Sequence, residues 1–168
     1  MATKKDKDKS SGEALEGIFR VVLDTNIYVA AYLSKSVKSP NKEIIQSWLS
    51  GEFTLVFSSF ILEEIIEKFN QKPINQNLTI ELIANIIALG EEVKITNKDI
   101  TSMIVEDPDD DQILACAVKG NADYIVTYDP HFDILNGFYQ GVTITEALPF
   151  LYMIRKQRSP NSNQDKKE

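Results

Sequence analysis

The residues of this chain best suited to chemistry are acids that stand at the ends of apolar runs. Asp24 closes the run Phe19-Arg-Val-Val-Leu-Asp24, and Asp129 closes Tyr124-Ile-Val-Thr-Tyr-Asp129. Between them lie Asp107-Pro-Asp-Asp-Asp111 and the pair Glu63-Glu64, which precedes Ile65 and Ile66. Each has an ordinary alternative. Asp24 and Asp129 suit helix or turn caps, acids in a first turn complement the helix dipole, and Glu63, Glu64 and Glu67 suit a solvated helix face. Yet one acid would serve where four crowd at residues 107–111, and gathered carboxylates repel unless a cation joins them. At least one of the four is expected to project into a shared site. Asp107 and Asp110, three residues apart, lie on one side of the helix start.

A site built of carboxylates has a definite preference. Hard oxygen ligands without nitrogen or sulfur select Mg²⁺ or Mn²⁺. Such an ion polarises a phosphodiester and activates water, so the acids hold metal without bonding to substrate. Asn26 and Thr127 can add hydrogen bonds to the ligands or to the water. Neither common form of glycine-rich phosphate loop occurs, nor a serine nucleophile elbow, so a covalent hydrolase is not indicated. Cys116 lies in the apolar stretch Leu-Ala-Cys-Ala-Val and reads as core packing. His131 is the only histidine. Without a second His or Cys it does not suggest zinc, and without an evident orienting partner we read it as a turn residue.

The elements that must position these acids alternate between strand and helix. Strands are expected at 18–23, 53–58, 92–96, 124–127 and 142–144. Helical spacing follows Asp24 through Ile27, Ala30 and Ala31, then runs through Ile44, Ile45, Trp48 and Leu49 to a stop at Gly51. It returns from Ser59 through Phe69, then from a cap at Thr79 to Leu89. A further helix begins with Asp107 as cap and Pro108 as first residue and runs to Val118, with Gly120 ending it. Thr145 to Ile154 closes the chain, after a turn at Asn136-Gly137. Alternation of this kind implies a parallel sheet covered on both faces, which places Asp24 at the carboxyl end of a buried strand.

Length allows one domain, at 18–154, between a disordered tail at 1–17 and a polar tail at 155–168. Charge is unevenly spread. Residues 1–17 balance four Lys with four acids, residues 155–168 carry a net +3, and residues 18–154 hold nine Lys/Arg against nineteen Asp/Glu, a net −10. That is a poor surface for gripping phosphates and a good one for a cation or a basic partner. Arg155-Lys-Gln-Arg158 is the one basic run that could offset it. A single cysteine excludes an internal disulfide, no apolar run reaches the roughly 18 residues of a membrane span, and the N-terminus lacks a signal-like apolar segment. The expected setting is the cytoplasm, with no membrane.

Taken in order, Val-Leu-Asp24-Thr-Asn26, Ser59-Phe-Ile-Leu-Glu-Glu64-Ile, Asp107-Pro-Asp-Asp110-Asp and Ala122-Asp-Tyr-Ile-Val-Thr127-Tyr-Asp129 resemble the motifs of PIN-domain ribonucleases. The likeness runs from about Arg20 to Ile154, and is nearest to the VapC-like toxin components of toxin–antitoxin systems. It implies a three-layer α/β/α sandwich with a central parallel sheet of four to five strands. It also implies a Mg²⁺- or Mn²⁺-dependent endoribonuclease. Asp24, Glu64, Asp110 and Asp129 would be the catalytic, metal-holding acids. Asn26 and Thr127 match supporting polar positions, and Asp107 matches a commonly acidic one. Such toxins resemble homodimers silenced by an antitoxin protein. Tyr128 and Pro130-His131 depart from the pattern, standing where a small residue and a Lys are associated with the family. A catalytically silent PIN-like module that binds RNA or protein is the competing expectation.

Overall fold

The computed structural model describes residues 18–158. The expected tail at 1–17, and the polar tail from 159 onward, lie outside the described residues. Three apolar runs form the middle of the sheet: β1 (Arg20–Leu23), β2 (Thr54–Phe57) and β4 (Tyr124–Val126). They are joined by β3 (Glu91–Glu92), β5 (Phe138–Tyr139) and β6 (Val142–Thr145) in the order β3-β2-β1-β4-β6-β5. Every pairing is parallel except that of β5 with β6. Val21, Val22, Leu55, Ile125 and Val126 are buried, as strands covered on both faces must be. Helices α1 (Thr25–Leu33), α2 (Pro40–Leu49), α3 (Ser59–Asn70), α4 (Gln76–Leu89), α5 (Asp110–Lys119) and α6 (Ala147–Arg158) complete a three-layer α/β/α sandwich. The α5 helix packs on β1 and β2, while α1 meets α2 and α3, and α2 meets α6.

Several boundaries differ from those expected, each for a local reason. The third strand shrinks to Glu91–Glu92, because its neighbour β2 ends at Phe57 and offers only one further carbonyl, to Val93 N at 2.7 Å. The additional strand β5 arises because Gln140 and Gly141 adopt φ 43° and 85°, folding Phe138-Tyr139 back onto Val142. Helix α4 begins earlier, at Gln76, because the Asn75 side chain accepts from Asn77 N. Helix α5 begins later, at Asp110. Asp107 Oδ1 accepts from Asp109 N at 3.1 Å, making a separate turn of residues 107–109. At its far end Gly120 has an ordinary φ of −80°, and Asn121 takes the left-handed turn at φ 50°. Glycine is needed at 120 for space, since a Cβ there would stand 2.6 Å from Val56 Cγ1.

Helix α6 carries on through Arg158, four residues beyond its expected end at Ile154. The extension is fastened to α2 and the loop after it. Arg155 is bidentate to Glu43, at 3.0 and 2.6 Å. Arg158 reaches Glu52 at 2.6 Å, Ser47 Oγ at 2.7 Å and Glu43 at 3.2 Å. These arginines are therefore paired within the fold, and the expectation that this basic run offsets the acidic surface for RNA does not hold for Arg155 and Arg158.

Candidate metal centre

From β1 the chain proceeds to β2 and β3 on one side, then returns to β4 on the other. The order reverses between β1 and β4, and the crevice at the carboxyl ends of such a reversal is where open α/β sheets bind ligands. Parallel pairing of Leu23 with Val126 sets the next residues, Asp24 and Thr127, side by side. Asp24 N donates to Val126 O at 3.0 Å. Thr127 Oγ1 donates to Asp24 Oδ2 at 2.7 Å and accepts from Asp129 N at 3.0 Å. One buried hydroxyl thus sets two of the acids. Asp24 occupies the cap position of α1, but its side chain makes no capping bond, so the ordinary reading of this acid fails.

The first residue of α5 supplies Asp110, whose side chain is 8% exposed. Its helix is buried along Ile113 to Ala117, Cys116 included, which anchors the acid through apolar packing. Across from it stands His131. Asp129 Oδ1 accepts from His131 N at 2.9 Å, and the 3-10 segment Pro130–Leu135 brings the ring back over the acids. His131 Nδ1 lies 3.1 Å from Asp129 Oδ1, 3.3 Å from Asp110 Oδ2 and 3.8 Å from Asp107 Oδ2. Asp107, Asp110, Asp129 and His131 each offer one ligand atom, all within 4.8 Å of one another. His131 is thus more than a turn residue, and the site is not made of oxygen alone. Its position directly after the Asp129-Pro130 step, two residues from the acid, was the available signal, because an Asx turn folds that residue back over the acid.

Glu64 stands apart from this group. Its Oε2 accepts from Thr25 Oγ1 at 2.6 Å, and its Oε1 lies 3.0 Å from Lys68 Nζ. Lys68 also donates to Asn26 Oδ1 at 3.4 Å. Lys68 was not singled out from the sequence, although it follows Glu64 by four residues on one helix face. Of the remaining acids, Asp111 Oδ1 accepts from Met103 N and Ile104 N, both at 3.0 Å, and so holds the preceding loop. Asp109 is exposed.

The electrostatics are those of crowded like charges. Burial raises the Asp24 carboxyl above the ordinary aspartate range. The Thr127 hydrogen bond and the Lys68 charge oppose this, while Glu64 and Asp129 add to it. Burial, then the charges of Asp129, Asp107 and Asp24, push Asp110 up to about 7, against the bond from His131. Desolvation alone would lower Lys68; its bond and charge contact with Glu64, with Asp24 and Asp110 behind, raise it instead. Two clefts reach the acids. One of about 390 Å³ is lined by Thr127, Tyr128, Asp129 and Phe132 among others. The second, about 310 Å³, is lined by Phe60, Glu64, Lys68 and Asp109 among others. Three carboxylates and an imidazole with converging ligand atoms fit a divalent cation.

Comparison with known proteins gives the family and the fold. The sequence matches the PIN domain family over residues 20–131. Among solved structures it is similar to VapBC2 from Rickettsia felis, bound to a DNA fragment from their promoter. Identity is 15% and the TM-score 0.53, covering 75% of this chain and 97% of that one. It is also similar to VapC20 from Mycobacterium tuberculosis, a toxin that cleaves the sarcin–ricin loop, at 15% identity and TM-score 0.50, covering 71% and 97%. At such identity these likenesses speak for the fold. No curated protein matches the chain in sequence.

Proposed function

The chain belongs to the PIN domain family, and from that premise we propose that it is a Mg²⁺- or Mn²⁺-dependent endoribonuclease, the toxin component of a toxin–antitoxin pair acting in the cytoplasm. The observation that carries this reading is the gathering of Asp24, Asp110 and Asp129 at the β1–β4 reversal, with Asp110 pushed up to about 7. Buried acids so arranged destabilise a fold unless a cation joins them.

Asp110 and Asp129 would hold the ion together with Asp107 and His131, with Asp24 beside them through the Thr127 hydroxyl and Glu64 at the edge. The imidazole shifts preference from Mg²⁺ towards Mn²⁺. When bound, the ion supplies Lewis acidity to a phosphodiester and to the attacking water. The rest is positioning by the chain itself. Thr127 fixes the Asp24 carboxylate and the Asp129 backbone, Thr25 and Lys68 fix Glu64, and Asn26 engages Lys68. Exposed Tyr128, 42% accessible at the lip of the larger cleft, offers a ring face to an unstacked base. An antitoxin or a second copy finds support in an apolar groove of about 430 Å³ between α3 and α4, where Ile80 and Ile87 are each 61% exposed.

Pairing of Arg155 and Arg158 with Glu43 and Glu52 favours the second reading, a silent RNA- or protein-binding module. Purified protein should cleave RNA only with Mg²⁺ or Mn²⁺, and Asp24→Asn should abolish cleavage while the circular dichroism spectrum is kept. Persistent cleavage by the variant rejects the site; RNA binding without product under every metal supports the silent module.

A further inference from the structure

Resting on the nuclease reading above, we propose that the centre takes one divalent ion, on the Asp107–Asp110–Asp129–His131 side, and that the Lys68 ammonium occupies the second cation position, at Glu64. Two-ion nuclease sites place their ions about 3.5–4 Å apart, sharing carboxylates between them. Here the acids divide instead. Both Glu64 oxygens are already engaged, Oε2 by the Thr25 hydroxyl at 2.6 Å and Oε1 by Lys68 Nζ at 3.0 Å. The same ammonium reaches Asn26 Oδ1 at 3.4 Å. An ion at Glu64 would have to displace a held positive charge and break these contacts.

The other side is built differently. Asp110 is nine-tenths buried, and among the described residues its Oδ1 makes no hydrogen bond. Its facing group is an imidazole set among Asp129, Asp110, Asp107 and Glu106, which carries a proton it can surrender to an incoming ion and then lends a lone pair, as an ammonium held on Glu64 does not. Four donor atoms converge there within 4.8 Å. One side therefore has a permanent cation on α3, and the other has an exchangeable imidazole and free carboxylate oxygens that an ion can take.

A lysine suits this place. Its ammonium is a compact point charge, and the four-carbon stem rises from the helix turn directly after Glu64. Lys68 holds Glu64 and Asn26 in place and sets a fixed positive charge near Asp24, so it is a positioning residue. A single ion beside a fixed ammonium would present two positive centres to the nucleotide linkage at the metal cost of one.

The test is stoichiometry. Full-length protein stripped of metal is titrated with Mn²⁺ by calorimetry, and the bound ion is examined by electron paramagnetic resonance. Wild type is expected to bind one Mn²⁺ per chain with the spectrum of an isolated ion. Lys68→Met should bind two, with the broadening of a spin-coupled pair, and Lys68→Arg should return to one. If Lys68→Met does not fold, Lys68→Gln removes the charge and keeps a hydrogen-bonding end. Two ions in wild type, one ion in the folded neutral variant, or two in Lys68→Arg overturns the proposal. No ion at all in wild type overturns the nuclease reading with it, whereas two coupled ions leave that reading standing and remove only the part given to Lys68.

Discussion

At the seam of α2 and α6, Glu43 and Glu52 each face an arginine; at the ends of β1 and β4, Asp24, Asp110 and Asp129 crowd together with one imidazole, His131, among them. The first cluster is exposed and compensated, the second buried and short of positive charge for the acids it gathers. The pKa directions follow. Hydrogen bonds and charge from Arg155 and Arg158 hold Glu43 and Glu52 below the usual glutamate range, while burial and like charge push Asp110 up. A chain able to match its carboxylates with arginines at one place crowds them at another only at a cost in stability. That cost is what supports the proposed cation site at the β1–β4 end.

The sharpest way to break this contrast is Asp110→Asn. On the proposed reading, loss of this acid should reduce RNA cleavage on the order of a thousandfold, since a bound ion contributes several kcal/mol and each 1.4 kcal/mol is a factor of ten. The same change relieves buried repulsion, so the metal-free variant should melt above metal-free wild type. Millimolar Mn²⁺ at constant ionic strength should raise the melting temperature of wild type and leave the variant nearly still. A variant that is both inactive and less stable without metal would mean that Asp110 is not under electrostatic strain.

The pH dependence of metal-free protein should separate the two clusters. Asp110 has an ordinary value of 3.8 and a folded value of about 7. Between those values the folded chain keeps a proton that the unfolded chain has released. Stability from this group is therefore full at the acid end and lost as pH rises towards 7. Glu43 and Glu52 have the opposite sign: lowered from 4.5, they stabilise above that value and lose their contribution as pH falls below it. Melting in EDTA should thus fall between pH 4 and 7 in wild type, and Asp110→Asn should flatten that slope. A slope unchanged by the substitution would assign it to other groups.

The smallest effect is expected at the seam. Arg158→Ala removes contacts to Glu52, Glu43 and Ser47 that are largely solvent-exposed, so roughly 1 kcal/mol and a drop of about 2–4 °C in Tm is expected. RNA cleavage should not change. A loss of cleavage with Tm intact would return this arginine to the substrate path.

What was legible in the sequence follows the same division. Asp24 and Thr127 could be placed because strands buried on both faces leave continuous apolar runs, and the polar residue that ends such a run lies at a known end of the sheet. Asp107 and Asp110 were readable as a pair from their spacing at a helix start. His131 and Lys68 were not, because each matters through a partner brought near by folding: the ring through a turn closed on Asp129, the ammonium through an i,i+4 contact whose value depends on Asp24 lying across from it. The short strands were hidden for another reason. Glu91-Glu92 and Phe138-Tyr139 are strands only because a neighbouring edge offers them hydrogen bonds, and nothing in two residues announces that. The extent of α6 was missed because its last turn is held by arginine contacts rather than by an apolar stripe.

The Thr127 hydroxyl gives its proton to one acid and receives one from the backbone of the other. Asp24 and Asp129 are geared together through a single oxygen atom. The Asp24 carboxylate and the Asp129 backbone thus share one anchor, so the two acids are set as a hinged pair rather than as two loose fingers.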